Sequence, residues 1–168
     1  MRNVALTPSL LRTGRLVAQL LRLGLPMGPL RILETTGRMS GKPRTTPVVL
    51  TTHQGENWLV SPFGDTDWVR NARTQPNVHL VRLRRRQAVH LTEVDPDTAA
   101  PVLQTFLHRF RLVPFVPPAF AAAASSDLAA FLAEAHRHPV FHVSSARSVR
   151  SDRQTRRTSA TYGFWDLL

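Results

Sequence analysis

The residues best suited to chemistry lie in one short segment, residues 35–47, which reads TTGRMSGKPRTTP. Two glycines allow a tight backbone turn, and three cationic side chains, Arg38, Lys42 and Arg44, fall within seven residues. Such a turn can bind a phosphate or a carboxylate through backbone N–H groups and charge-assisted hydrogen bonds. It lacks the G-x-x-x-x-G-K-S/T spacing of a P-loop, and a solvated hairpin without a ligand is the alternative.

The other groups of reactive side chains give little indication of a catalytic or metal site. The chain has no Cys, which excludes disulfides, thiol catalysis and Cys-ligated metals. His136, His138 and His142 are close in sequence, but no carboxylates cluster with them, so no metal site is predicted. Neither a nucleophilic triad nor a pair of acid–base carboxylates is recognisable. No catalytic side chain can therefore be identified from the sequence.

The overall charge allows several kinds of partner. The 168 residues include 22 basic and 11 acidic side chains, a net charge of +11. With 42% hydrophobic residues, a chain of this length predicts one folded domain rather than a disordered polycation. The charge fits nucleic acid, an anionic membrane surface or an anionic small molecule.

Strands dominate the elements that must position the turn. The first part of the chain, residues 8–25, predicts a basic amphipathic helix that packs on its own domain or lies on an anionic membrane. We expect one domain over residues 1–143, with that helix inside residues 1–25, and a loosely attached basic tail over 144–168. The predicted strands are 31–36, 45–53, 57–61, 78–83, 88–94 and 139–143. The predicted helices are 66–74, 95–110 and one that begins at Ser125 or Ser126 and ends near His136, and residues 112–124 predict a loop over a cavity.

The turn motif, followed by a strand and by Trp68-Val69-Arg70-Asn71, resembles the deazaflavin-dependent nitroreductase and quinone reductase family. The resemblance covers about residues 8–143. It implies an α+β fold, a split β-barrel of the FMN-binding type with flanking helices. It also implies an oxidoreductase that transfers hydride from the reduced deazaflavin coenzyme F-420 to a quinone-like, nitro or other conjugated acceptor.

The resemblance also implies which residues bind the cofactor. Met39 stands where the family usually has a second basic residue, and Pro62-Phe63-Gly64 replaces a stretch richer in Lys and Gly. No catalytic side chain is required, because the cofactor carries the hydride chemistry. The implied cofactor-binding residues are Arg38, Met39, Ser40, Gly41, Lys42, Arg44, Thr45, Thr46, Pro47, Val48, Val49, Ser61, Pro62, Trp68 and Asn71.

An apolar acceptor needs an apolar slot, and four side chains are candidates for its wall: Phe110, Phe115, Val116 and Phe120. Ordinary core packing is the alternative for these residues. The proton that accompanies the hydride could come from a Ser, a Tyr or solvent.

Several alternatives stay open at this point. The same fold could bind FMN, FAD or a heme. A basic nucleic-acid-binding module acting through Arg84–Arg86 and the C-terminal arginines is the less favoured reading. Residues 1–25 suggest peripheral membrane association, split-barrel flavoproteins suggest a homodimer, and we expect a cytoplasmic protein, at most peripheral to the inner face of the membrane.

Overall fold

A computed structural model of the chain describes residues 28–83, 85–111, 116, 119–124 and 127–146. The predicted N-terminal helix over 8–25, Phe115, and the tail from residue 147 onward lie outside the described residues. Arg84 also lies outside them.

The described part of the chain contains six strands that close into an antiparallel barrel. The strands are β1 (Leu30–Thr36), β2 (Pro43–His53), β3 (Glu56–Val60), β4 (Asn77–Arg82), β5 (Arg85–Glu93) and β6 (Val140–Ser145). Their order around the barrel is β1-β2-β3-β6-β5-β4. Thr and Val dominate β2, as expected for a half-buried strand. With helices packed around it, this barrel confirms the predicted α+β split-barrel class.

Three helices accompany the barrel in the described ranges: α1 (Asp67–Thr74), α2 (Pro96–Phe110) and α3 (Leu128–Glu134). The Asp95 side chain caps α2 by accepting the N–H of Thr98 at 3.0 Å, at the predicted start of this helix. The predicted start of α3 at Ser125 or Ser126 was wrong, because the Asp127 carboxylate caps it by accepting the N–H of Ala129 at 3.1 Å. Over the described residues, no helix has the length and apolarity that a membrane span needs.

Three strand boundaries differ from the prediction by two residues or more. β2 begins at Pro43 rather than residue 45, because Pro43 pairs with Thr36. β5 begins at Arg85 rather than residue 88, because Arg85 pairs with Arg82 and Arg86 pairs with Val81. β6 continues to Ser145, two residues beyond the predicted end, because Ser145 pairs with Val89.

The barrel has two distinct ends. The seven residues of β1 span about 20 Å at about 3.3 Å per residue. At one end, which we call the turn end, Thr36 pairs with Pro43 across the 37–42 turn. At the other, which we call the hairpin end, Ile32 pairs with Val81 beside the β4–β5 hairpin. Helix α1 joins β3 to β4 at the turn end.

Two hydrophobic cores lie on the two faces of the sheet. The inner core fills the barrel, and α1 closes its turn end with Trp68, Val69 and Ala72. The outer core packs α2 and α3 against the outside of β2, β3 and β6, with Trp58 and Val60 among its members. The turn therefore lies where the inner core ends and α1 covers the barrel.

Candidate functional site

The turn between β1 and β2, residues 37–42, is closed by backbone hydrogen bonds. The N–H of Gly37 donates to the carbonyl of Lys42, and the N–H of Gly41 donates to the carbonyl of Gly37, both at 2.8 Å. Gly41 has a φ of +64°, which glycine adopts at little cost. A Cβ on Gly37 would lie 2.8 Å from Oγ of Ser40. Both glycines are thus required by the shape of the turn.

Asn71 holds the turn against α1. Its side-chain oxygen accepts the backbone N–H of Arg38 at 3.1 Å and the guanidinium Nη1 of Arg38 at 3.3 Å. Its amide nitrogen donates to Oγ1 of Thr35 at 3.3 Å, and the residue is only 4% exposed. Arg38 also pairs with Asp67 at 3.1 Å. Asn71 and Arg38, both predicted ligand residues, are thus joined to each other and brace the turn.

Two cations at the turn, Lys42 within it and Arg44 at the start of β2, have no partner among the described residues. Within the described ranges, the side chains of Lys42 and Arg44 form neither an ion pair nor a hydrogen bond, and both residues are exposed. Ser40 is exposed as well, and Met39 is 91% exposed. The charge of Arg38 is offset by Asp67, so the turn offers an anion two free positive charges rather than three.

The predicted cofactor residues on β2 divide between the two faces of the sheet, since side chains alternate along a strand. Val48 belongs to the inner core, and Thr46, opposite Leu33, has the same inward orientation. Val49 packs against the outer core. Thr45 and Pro47 lie on that outward face, where Thr45 is exposed and Pro47 is half-buried. Among these five residues Thr45 is the most exposed, Thr46, Pro47 and Val49 are half-buried, and Val48 is buried.

The end of β3 lies beside this stretch, because Leu50 of β2 pairs with Leu59 of β3. Ser61 is 1% exposed, and its hydroxyl donates to the carbonyl of Gly64 at 2.7 Å. Its N–H donates to the carbonyl of Pro139 at 2.9 Å. The hydroxyl and the N–H of Ser61 are therefore both used in hydrogen bonds within the fold. Of the two predicted residues here, the half-buried Pro62 is the more accessible.

Trp68, predicted to close over the cofactor, is packed inside the barrel. It is 7% exposed, and its ring centroid lies 5.4 Å from that of Phe141. In this conformation Trp68 anchors α1 in the barrel opening. Asn71 lies on the same helix and hydrogen-bonds to the turn, so the position of α1 also sets the position of the turn.

The predicted acceptor residues lie in the outer core. Val116 and Phe120 are each 4% exposed, whereas Phe110 is half-buried at the edge of the cluster. The Phe106 ring lies 5.0 Å from Phe110 and 6.1 Å from Phe120. The structure thus brings three of the four candidates together, packed as a core rather than as an open slot, and their contact with an acceptor stays a prediction.

A buried polar pair joins the outer core to the Ser61–Gly64 segment. Glu134, 5% exposed, accepts the N–H groups of Ala121 and Ala122 at 2.8 and 2.9 Å, and thus caps the 3-10 turn that follows Phe120. Nε2 of His138 lies 3.8 Å from the Glu134 carboxylate, and its ring stacks on Phe120 at 4.2 Å. Burial lowers the pKa of His138, although the charge of Glu134 opposes this effect. In the described ranges, no three His, Asp or Glu side chains are grouped to hold a metal.

Comparison with known families identifies the chain. The sequence profile described as F-420H(2)-dependent quinone reductase matches residues 13–110, more than half of the chain and all of β1 to α2. The chain belongs to the F-420H(2)-dependent quinone reductase family. Its cofactor is accordingly the deazaflavin F-420, as the sequence predicted, and the chain is an oxidoreductase.

Several solved structures show a more distant likeness to this member of the quinone reductase family. A structure described as F-420-H(2) Dependent Reductase (FDR-A) is 20% identical, with a TM-score of 0.45 over 68% of this chain and 93% of that one. A conserved hypothetical protein from Mycobacterium tuberculosis is 16% identical, with a TM-score of 0.48 over 77% and 79%. A heme binding protein from Mycobacterium smegmatis is 14% identical, with a TM-score of 0.44 over 75% and 48%. A search of curated proteins gave no match.

The turn has the chemistry that the anionic part of a deazaflavin requires. Lys42 and Arg44 have no ion-pair partner in the part of the chain that the structure describes, and the exposed Ser40 adds a hydroxyl. Nothing lies within 4 Å of a Cβ built on Gly41, so the backbone there is open to a ligand. Cations and open backbone are the usual components of a phosphate site. The residues present therefore fit the cofactor of the quinone reductase family.

Sequence reasoning missed two residues that brace this site. Neither Asp67 nor Thr35 is among the site residues predicted from the sequence. Asp67 lies four residues before Asn71, a spacing that places both on one face of α1 and could have indicated a shared partner. Thr35 carried no signal, since its bond to Asn71 spans 36 residues.

Proposed function

We propose that this chain transfers hydride from the reduced deazaflavin to a quinone-like acceptor in the cytoplasm. The observation that carries the proposal is the braced turn with two free cations, Lys42 and Arg44, in the segment matched by the quinone reductase profile. The brace matters because a turn that is already ordered loses less conformational entropy when it binds a ligand.

The geometry suggests a division of roles among the residues. Lys42, Arg44 and the backbone at Gly41 bind the anionic part of the cofactor. The outward face of β2 at Thr45 and Pro47, with the neighbouring Pro62, orients the ring system. When bound, the reduced deazaflavin supplies the hydride, so the protein contributes position and charge rather than a nucleophile.

Reduction of a quinone requires a proton as well as a hydride, since one of each converts a quinone to a hydroquinone. Ser61 is one of the predicted hydroxyls, but it is buried and donates to the carbonyl of Gly64. The hydroxyl of Ser61 is therefore occupied in the fold. We assign the proton to solvent rather than to a side chain.

We place the acceptor where the outer core reaches the outward face of β2 at Val49, two residues from Pro47, because hydride transfer requires the acceptor to contact the cofactor ring. A flat apolar acceptor gains by leaving water against such a surface. A nitroaromatic compound shares the flat conjugated shape of a quinone, so it serves as the competing acceptor in the test.

The test is oxidation of the reduced deazaflavin by a water-soluble quinone and, in parallel, by a nitroaromatic compound, under anaerobic conditions. We expect turnover with the quinone. The double variant Lys42→Gln/Arg44→Gln should raise the KM for the cofactor about tenfold to thirtyfold, since each charge-assisted contact at an exposed site contributes about 1 kcal/mol. The KM for the quinone and kcat should change little, because the contacts removed bind the cofactor equally well in the ground state and in the transition state.

The matched control is Arg111→Gln, which removes one exposed charge at the end of α2. It should leave both KM values unchanged. Turnover with the nitroaromatic compound alone would contradict the quinone assignment, and an unchanged cofactor KM in the double variant would contradict the assignment of the turn.

A further inference from the structure

A row of arginines crosses three neighbouring strands at the hairpin end of the barrel. Arg82 of β4 pairs with Arg85 of β5. Ile32 pairs with Val81, which places Arg31 of β1 opposite Arg82 on its other side. Residues directly opposite in an antiparallel sheet point to the same face. The same face carries Leu33 and Leu80 into the inner core, so the three arginines lie at the rim of the barrel.

Folding alone gives no reason for this arrangement. Like charges on directly opposite residues destabilise a sheet. Arg31 donates to the carbonyls of Gly28 and Leu30, both at 2.8 Å, while burial and the charge of Arg82 lower its pKa. Arg82 and Arg85 are exposed and have no ion pair or side-chain hydrogen bond in the described ranges. Their charges therefore have no counter-charge there.

An exposed apolar side chain adjoins the row. Leu83 follows Arg82 at the tip of the hairpin, is 42% exposed and has a φ of +47°. Asn or Gly is preferred in this left-handed conformation, and a bulky residue there is an outlier. Strained and exposed at once, Leu83 contributes little to the stability of the fold. A two-residue hairpin loop requires this positive φ, so the backbone geometry does not explain why Leu rather than Asn or Gly stands at the tip.

We propose that the row Arg31, Arg82 and Arg85, together with Leu83, docks the protein on a bilayer that contains anionic lipids. The arginines pair with headgroup phosphates, and Leu83 inserts its side chain below them. Basic residues near an anionic bilayer each add about 1 kcal/mol of binding, and buried apolar surface adds to it.

Two observations favour a bilayer over a nucleic acid. Phosphates of either kind would satisfy the arginines, but a nucleic acid backbone offers no apolar layer for an exposed leucine at the tip. Residues 1–27 of the sequence hold four Arg and no acidic residue, and they predict a basic amphipathic helix of the kind that binds anionic bilayers.

This surface lies at the opposite end of the barrel from the cofactor turn, roughly 20 Å along β1. Docking here leaves the turn end free of the bilayer. Bilayer docking at the hairpin end is thus independent of the quinone acceptor assigned above, and either proposal can fail while the other holds.

The experiment is co-sedimentation of the full chain with phosphatidylcholine vesicles that contain or lack phosphatidylglycerol. We expect binding to the anionic vesicles that weakens with added salt. Arg82→Gln/Arg85→Gln should lower the partition coefficient about thirtyfold, or about fivefold per arginine. Leu83→Asn should lower it about fivefold to tenfold, with less dependence on salt. Both variants relieve local strain or repulsion, so both should fold.

The matched control is Lys42→Gln/Arg44→Gln, which removes the same charge at the turn end and should bind vesicles as the unaltered chain does. Oxidation of the reduced cofactor by a water-soluble quinone should be unaffected by Arg82→Gln/Arg85→Gln. The proposal is overturned if the unaltered chain ignores anionic vesicles, or if the hairpin variant binds them equally well. Duplex DNA that displaces the protein from vesicles at physiological salt would overturn it in favour of a nucleic-acid surface.

Discussion

Replacing Asn71 by Ala should both destabilise the fold and weaken cofactor binding. The side chain makes three hydrogen bonds, two to Arg38 at 3.1 and 3.3 Å and one to Thr35 at 3.3 Å. A typical net value is about 1 kcal/mol per bond, with less for long bonds and more for a partner left unsatisfied in a buried site. The free energy of unfolding should therefore fall by about 2–3 kcal/mol.

The same change frees the turn, which must then be ordered when the cofactor binds. We expect the dissociation constant for F-420 to rise about tenfold, equivalent to about 1.4 kcal/mol. Urea unfolding followed by tryptophan fluorescence measures the first quantity, and titration of F-420 measures the second.

Two further variants sharpen this test. Asn71→Asp keeps an oxygen that accepts both groups of Arg38, so it should recover most of the loss. Asn57→Ala removes an exposed asparagine whose side chain, among the described residues, hydrogen-bonds only to Thr52, at 3.5 Å, and it should change stability by less than about 0.5 kcal/mol. If Asn71→Ala is as stable as Asn57→Ala, the brace is refuted. If stability falls while F-420 affinity is unchanged, the turn is not the cofactor site.

Three other changes test the surroundings of the site. Glu134→Ala should lower the free energy of unfolding by about 3 kcal/mol in urea titrations, because two backbone N–H groups lose a charged acceptor, and equal stability would contradict this. Because burial lowers the pKa of His138 below 6.5, the native state disfavours its protonation, and stability should decline as pH falls below about 6.5. His138→Phe, which can keep the stack on Phe120, should reduce that decline, and identical pH profiles would contradict it. Gly64→Ala should lower the free energy of unfolding by about 1–2 kcal/mol in the same assay. The reason is that φ is +76° and the added Cβ would lie 3.2 Å from the Arg137 carbonyl. An unchanged free energy of unfolding would argue against this geometry.

Much of the barrel follows from local sequence. The Thr- and Val-rich run of β2, the Gln54-Gly55 turn and the Asp95 cap are local signals, and all appear in the structure. The start of α3 was misplaced because Ser and Asp are both good caps and sit side by side, so propensity alone cannot choose between them.

The partners within the candidate site were not predictable in the same way. Arg38 pairs with Asp67, which is 29 residues away in the sequence. Arg38, predicted to bind the cofactor, therefore holds the turn against α1. Burial of Trp68 and Val48 depends on which face of an element meets the barrel interior. These contacts form only when elements distant in sequence pack together, and hydrophobic periodicity does not predict them.

The central claim is that the 37–42 turn binds a deazaflavin, and a direct titration tests it most simply. Purified protein should bind F-420 saturably and more tightly than FMN, and Lys42→Gln/Arg44→Gln should weaken F-420 binding about tenfold or more. Absence of saturable F-420 binding, or equal affinity in the unaltered chain and the double variant, would contradict the account.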